Sequence, residues 1–372
     1  MHVSATLVRG GTSKCWLFDE STLPATVDST VDSLEGLLVN AYGAADPVQL
    51  DGVGGATPTT SKAAIVRASD APGVDVEYLF GQVGIGIGRV EWGSNCGNCA
   101  TAIALWAVAR GFVPVTGDLT RVVLRNTNTG TVLEAEVDTA GGHVHEFGTQ
   151  TVPGTRAGGV AVGLTFLEPA GRTTGSVTPT GAVADQLTWG GLPATVSMID
   201  AGAPMVLLDA AGIGRTAAES LAEMRELVEP LRAVRHEAAR CMGLAEPGTE
   251  PNDAVPKVGI VGKPAAYRTT MGDEIAAEDY DVAVRMLSMN APHPAIGLTS
   301  AVGIAVANLL GGTVVRGASG STGPTLRIGT PAGVVAVTCG DLAGSTPRRV
   351  TVRRAARILC DADILVPDLI PA

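Results

Sequence analysis

Gly93-Ser94-Asn95-Cys96-Gly97-Asn98-Cys99-Ala100-Thr101-Ala102-Ile103-Ala104-Leu105-Trp106-Ala107-Val108-Ala109-Arg110-Gly111 reads as a turn that carries a thiol and runs on into a helix. Wound into a helix, the run has no polar face, and a helix apolar all round is a buried one. Its small residues would let strands approach closely. Gly111 is placed to stop it, because glycine readily takes the left-handed conformation that ends many helices. The N-terminus of such a helix, opening inside the molecule, offers free backbone N–H groups and the positive end of a dipole. That is a ready seat for a carboxylate. Cys96 placed there would have its thiolate stabilised and would serve as proton acceptor or nucleophile. Taken alone, a cysteine is as readily a small buried hydrophobe. The flanking Asn95, Gly97 and Asn98 favour a backbone open to a ligand.

Composition narrows the classes further. With 372 residues the chain suggests two domains of ordinary size. Aromatics make up only 3%, so Ala, Val, Leu and Ile must fill the core, and 48 glycines favour tight turns in a strand-rich fold. A formal charge of −11 argues against nucleic acid or an acidic membrane surface as partner. Six cysteines without disulfide-like spacing fit a reducing cytosol, so a cytoplasmic location is expected. No signal peptide is visible, and the most apolar run, 295–310, is shorter than the roughly 18–20 residues of a membrane span.

Outward from the helix, His2 to Val8 alternates as a strand, Arg9-Gly10-Gly11-Thr12-Ser13-Lys14 forms a polar turn, and Cys15–Phe18 resumes the strand. The Gly-Lys-Ser/Thr order of a phosphate loop is absent. Residues 26–44 carry a helical period, and the glycine- and threonine-rich loop from Asp51 ends on Ser61-Lys62 before a strand. Most lysines are solvated, but one between a polar loop and an apolar strand can point into a cleft, where burial would lower its pKa toward a usable base. Gly81–Gly88 has the wrong spacing for a dinucleotide fingerprint and precedes a strand. Cys96-x-x-Cys99 lacks a second ligand pair for zinc, and His143-x-His145, in a strand-like segment, is a weak metal motif. No metal and no cofactor are expected.

The second half repeats the plan of the first. Residues 215–243 carry a helical period, Val255–Val261 reads as a strand with Lys257 turned inward, and Ala301–Gly311 reads as a second helix of small apolar residues ending at glycine. Leu124-Arg125 corresponds to Leu326-Arg327 at an offset of about 202, and the same offset sets Gly97-Asn98 against Thr299-Ser300. A repeat of this length is a duplicated domain. The Gly-, Thr- and Pro-rich stretch 154–185 marks the seam, giving domains 1–185 and 186–372. Two buried helix N-termini facing one cleft would let an acidic protein hold a di- or tricarboxylate.

Several ordered motifs then carry a resemblance: Arg9–Lys14, Gly54-Gly55-Ala56 through Ser61-Lys62, Asn95-Cys96-Gly97-Asn98, Asp200-Ala201-Gly202, Pro256-Lys257, and His293-Pro294-Ala295 with Thr299-Ser300-Ala301. Together they resemble the family of 2-methylaconitate cis-trans isomerase, 4-oxalomesaconate tautomerase and methylitaconate isomerase. The resemblance implies an α+β fold of diaminopimelate epimerase type: two duplicated domains, each a curved, barrel-like, mostly antiparallel sheet around a buried central helix. It implies a cofactor-independent isomerase that moves or cis-trans isomerises the C=C bond of an unsaturated di- or tricarboxylate. Lys62 and Cys96 become the acid and base. Arg9, Gly10, Gly11, Thr12, Ser13, Ser61, Asn95, Gly97, Asn98, Lys257, Ser288, His293, Thr299 and Ser300 become substrate contacts. The expected partner is a small polycarboxylate, with no nucleic acid and no membrane, and a homodimer is allowed for. The second helix opens on Gly297-Leu298-Thr299-Ser300 without a cysteine, which weighs against a two-thiol amino-acid epimerase. An accessory protein of an iron–sulfur dehydratase is the non-enzymatic alternative. Ala203 and Ala182 stand where the family usually has Asn.

Overall fold

The computed structural model describes residues 1–93, 96–246, 248–251 and 253–367. The chain divides into two compact units. Met1–Leu164 joins with the chain from Arg354 onward, and Thr165–Arg353 forms the second. The expected halves, 1–185 and 186–372, differ from this division at two places. The first unit stops earlier, and it takes back the end of the chain.

The first unit contains β1 (His2–Gly10), β2 (Ser13–Asp19), α1 (Val31–Tyr42), β3 (Lys62–Ala68), β4 (Val76–Val83), β5 (Val90–Glu91), α2 (Gly97–Ala109), β6 (Leu119–Asn126) and β7 (Val132–Asp138). β8 (Val160–Leu167) leads out of it. β1 and β2 form an antiparallel hairpin, β2 and β3 run parallel, β3 and β4 antiparallel, β4 and β6 parallel, β6 and β7 antiparallel.

The second unit contains β9 (Asp185–Trp189), β10 (Leu192–Ala201), β11 (Ala203–Asp209), α3 (Leu221–Glu226), α4 (Val228–Cys241), β12 (Lys257–Gly262), β13 (Tyr267–Arg268), β14 (Glu274–Ile275), β15 (Val282–Ser288), β16 (Ala291–Pro292), α5 (Leu298–Leu309), α6 (Val314–Ser319), β17 (Thr325–Thr330) and β18 (Gly333–Ala343). β19 (Thr346–Leu365) starts here and ends in the first unit. β10 and β11 are an antiparallel hairpin, β11 and β12 parallel, β12 and β15 antiparallel, β15 and β17 parallel, β17 and β18 antiparallel. The order of pairings is that of the first unit, strand for strand. The fold is α+β and internally duplicated.

Each sheet wraps a helix. α2 packs against β1, β2 and β3 and also against β6 and β7, which lie at the far end of the pairing order. Only a sheet curved round the helix can do this. Residues Cys99 to Val108 of α2 are all buried. The outer face carries a second layer: Trp16, Phe18 and Ile65 pack with Leu34, Leu37, Leu38 and Tyr42 of α1. Successive strand residues alternate between the two faces. Lys62 therefore lies on the face opposite Ala63 and Ile65, the face toward α2. In the second unit, Val258 and Ile260 of β12 pack with Leu231, Val234 and Ala238 of α4, so Lys257 takes the equivalent inner face. Sheets covered on both sides have strands that read as near-continuous apolar runs.

The helix ends differ in how closely they follow the sequence. Gly111 sits at φ 75°, with Gly111 N–H bonded to Val108 O and Phe112 N–H to Ala107 O, the double closure of a Schellman cap. α5 spans Leu298–Leu309, three residues earlier than expected at its start. Its end is closed by the Thr313 hydroxyl donating to Ala307 O and Leu310 O, rather than by Gly311. The expected helix over 215–243 is two helices. Pro230 has no N–H to bond back to residue 226, so α3 and α4 are separate. The His143-x-His145 segment is not a strand, and no group of three or more possible ligands gathers among the described residues. No helix is long and apolar enough to cross a membrane among the described residues.

Candidate active site

The first unit assembles its site around the first turn of α2. Cys96 is the N-cap residue, with no Ser, Thr, Asp or Asn in that role. Asn98, in the first turn, is a hub. Its amide donates to Thr12 Oγ1 and Ser13 Oγ, both at 3.2 Å, and its Oδ1 accepts from Arg354 Nη2 at 2.7 Å. The β1–β2 hairpin closes on this turn more tightly than expected. Arg9 pairs with Lys14 and Gly10 with Ser13, so only Gly11 and Thr12 form the loop. Gly11 has φ 53°, which suits a two-residue hairpin. A Cβ on Gly10 would lie 1.9 Å from Asn98 O, so the hairpin touches α2 backbone to backbone. Arg9 donates to Gly11 O and Gly158 O. Thus Gly10, Gly11, Thr12, Ser13 and Asn98 come together as expected, with Arg9 at their edge. Asn95 lies outside the described residues.

Lys62 begins β3 and pairs in register with Gln82 of β4. Its Nζ donates to Gln82 Oε1 at 2.5 Å and stands 5.2 Å from the Phe80 ring centre. Gln82 is itself fixed, its amide donating to Ser61 O at 2.9 Å. Gln82 is inconspicuous in the sequence, because it sits in a glycine-rich run without nucleotide-motif spacing. Its signal is the strand pairing, visible only once Lys62 and Gln82 are placed opposite. Ser61 departs from expectation. It is fully buried and donates to Gln49 Oε1 at 2.6 Å, so its hydroxyl braces the loop before β3 instead of facing a ligand.

Lys62 and Cys96 are close enough for each to act on the other's charge. The direction of their proton affinities corrects the sequence reading. Burial pulls the Lys62 ammonium down, but the thiols of Cys96, Cys99 and Cys15 outweigh it, and the net shift is upward. A hydrogen bond with Cys99 and then burial hold the Cys96 thiol well above its ordinary value. Cys99, buried, is raised by burial and by its hydrogen bond with Cys15. Cys15, Cys99 and Cys96 thus form a run of thiols from β2 through α2 to the site. Both shifts favour the protonated forms, so at neutral pH the pair is ammonium and thiol, not amine and thiolate. The cavity evident in this unit, lined by Asp19, Arg110, Asp361 and Asp363 among others, includes neither residue.

The second unit builds the matching place differently. Counted from the helix caps, Cys96 corresponds to Gly297 and Asn98 to Thr299, one residue off the expected alignment. A Cβ on Gly202 would lie 2.7 Å from Thr299 O, as that on Gly10 meets Asn98 O, which supports the shifted match. Ser300 is buried in the first turn of α5. Lys257 opens β12 as Lys62 opens β3. Burial and then Arg235 lower the Lys257 ammonium. His293 Nδ1 accepts from Ala295 N–H at 3.0 Å, which leaves Nε2 to carry the proton of a neutral ring. Burial and then Lys257 push His293 down to about 4. Lys257 and His293 are therefore neighbours. Ser288 is exposed at the end of β15. Asp200 is a bracing residue, accepting from the Thr173 and Thr174 backbone and the Thr174 hydroxyl.

Comparison with known proteins agrees with this architecture. The model of the PrpF protein family matches residues 1–367. A 2-methyl-aconitate isomerase of Shewanella oneidensis is 33% identical over 99% of this chain and 97% of its own. A (4E)-oxalomesaconate Delta-isomerase of a Novosphingobium species is 35% identical over 82% of this chain and 80% of its own. The crystal structure of a methylitaconate-delta-isomerase superposes with a TM-score of 0.87 at 30% identity, covering 100% of this chain and 98% of that one.

Proposed function

The chain belongs to the PrpF family and is an isomerase of it, and from that premise we propose that it shifts or cis-trans isomerises the double bond of an unsaturated di- or tricarboxylate of aconitate, methylaconitate, itaconate or oxalomesaconate type. The observation that carries this reading is the pairing of the Lys62 amine and the Cys96 thiol at the first turn of α2. One of the two removes a proton from the carbon beside the double bond. The electron pair spreads as a dienolate onto a carboxylate, which helix N–H groups and cations stabilise. A proton returned at the far end moves the double bond, or bond rotation before return exchanges cis for trans. No atom is gained or lost, so the reaction needs no co-reactant. Because the resting pair holds both protons, it must give one up before it can act as base. Thr12, Ser13 and Asn98 are the substrate contacts of the first unit in this reading, and Lys257, His293 and Thr299 are the anion-binding donors of the second.

Gly297 at the cap of α5 supplies no second thiol, which counts against an amino-acid epimerase. Six free cysteines suit a reducing compartment such as the cytoplasm. The test is proton NMR in D2O with a panel of unsaturated polycarboxylates. The expected result is solvent deuterium at the allylic carbon of at least one, with formation of its isomer. If none exchanges and free proline or diaminopimelate does, the reading fails in favour of an epimerase.

A further inference from the structure

Three arginines are buried among the described residues, and their surroundings differ. Arg285 is satisfied by the protein. It donates to Glu219 O at 2.7 Å, Val284 O at 2.9 Å and Gly329 O at 3.3 Å, and lies over the Tyr267 ring. Arg235 has a carboxylate, Asp253, at 3.5 Å. Arg354 is 4% exposed and has neither. Its Nη2 donates to a neutral amide, Asn98 Oδ1, and its Nε has no partner. A guanidinium has five donors in a planar fork and stays charged. Burying such a charge without an anion or a set of carbonyls costs several kcal/mol, so folds rarely keep one without a use.

The position of Arg354 indicates the use. It is held by the residue that also organises Thr12 and Ser13, at the first turn of α2. It lies within electrostatic reach of both Cys96 and Arg9. Arg9 also has a buried Nε without a partner, and no ion pair involves Arg9 or Arg354 among the described residues. Gly11 leaves room for the guanidinium, since a Cβ there would lie 2.2 Å from Arg354 Nη2. Nothing in the sequence singled Arg354 out. It belongs to an arginine-rich strand that reads as a solvated edge.

We propose that Arg354 receives one carboxylate of the substrate at the N-terminal end of α2, beside Cys96, and that it selects substrates carrying a carboxylate at that position. This rests on the polycarboxylate reading above. The fork suits bidentate contact with a carboxylate, while Asn98 fixes one arm.

The test uses the full chain and two readouts. Calorimetry with propane-1,2,3-tricarboxylate, saturated and so inert to isomerisation, reports binding without turnover. Steady-state kinetics on the best substrate of the deuterium screen, and on its mono-amides, report selection. Arg354→Met is expected to weaken the saturated tricarboxylate about 100-fold and to raise KM similarly. For the mono-amide that lacks the carboxylate facing Arg354, the variant and the parent protein should agree within about threefold. Arg354→Lys, which keeps the charge but not the fork, should recover about half of the loss on a logarithmic scale. Should Arg354→Met not fold, Gly11→Ala, which displaces the guanidinium, should give the same ordering of ligands. Equal affinity of parent and variant for the tricarboxylate overturns the proposal, as does equal loss for every amide. A parent protein that binds the tricarboxylate but exchanges no unsaturated acid sinks the isomerase reading instead, and the affinity of Arg354→Met for the tricarboxylate still decides the role of Arg354.

Discussion

The two halves of the molecule share one plan and differ in the charge around it. Each places a lysine at the first residue of its third major strand, on the face toward a buried helix. Around Lys62 the neighbours are thiols, and its ammonium is stabilised. Around Lys257 the neighbours are Arg235 and His293, and its ammonium is destabilised, first by burial. The helix cap in the first half is a cysteine and in the second a glycine. Duplication supplied two equivalent positions, and the side chains around them have since divided the labour. In the proposed reading the first half holds the group that exchanges a proton with carbon. The second has a glycine at the corresponding cap and carries donors suited to an anion. The lesson is that position in a repeated fold does not fix chemistry; the immediate neighbours set which protonation state is stable.

Removing each lysine in turn should separate the two halves by the largest margin. Lys62→Ala or Cys96→Ala should lower kcat about a thousandfold with little change in KM, as expected for a proton-transfer group. With Lys62 and Cys96 both raised, the parent protein's kcat/KM should climb with pH through the alkaline range. A flat profile together with an active Lys62→Ala would dissolve the distinction between the halves. Lys257→Met should act on the other constant, raising KM about 10- to 100-fold, the cost of a lost charge-assisted hydrogen bond, while kcat stays within a few-fold. A kcat loss matching that of Lys62→Ala would show both lysines doing the same work.

The smallest effect is on stability. His293 is neutral in the fold with its value near 4, against 6.5 when unfolded, so the unfolded chain binds the extra proton between these limits. Stability contributed by the neutral ring is therefore present above pH 6.5 and lost as pH falls toward 4. Denaturant melts should show the parent protein losing on the order of 3 kcal/mol more than His293→Asn across that window. Parallel pH profiles would mean that the ring is not held neutral by its surroundings.

Much of this was legible in the sequence, and the remainder was not for identifiable reasons. The uniform apolar composition of Cys99 to Val108 reveals a buried helix, because composition all round a helix is a local property. The same holds for the hairpins and for the Gly111 stop. The motifs brought Thr12, Ser13, Asn98, Lys62 and Cys96 to notice one by one. What local pattern cannot carry is who faces whom. The upward shift of Lys62 depends on Cys15 and Cys99, which lie 47 and 37 positions away in the chain and appear unremarkable in their own segments. Gln82 was hidden by its glycine neighbours, and Ser61 looked available until Gln49 was found to hold it. Arg354 was least legible, since it reaches Asn98 across a separation of 256 residues.

β19 runs 20 residues from Thr346 to Leu365 and ends as the antiparallel neighbour of β1, with His2 opposite Leu365. β1 thus finds this neighbour only after the whole stretch between them has been made. A nascent chain leaving the ribosome would carry an unfinished first half through the synthesis of the whole second half, with one flank of β1 unpaired and the arginine at Asn98 still to come. Loop closure over such a distance is slow and leaves strand edges exposed in the meantime. Translation order therefore leaves the unit that contains β1 to be completed after the unit that follows it.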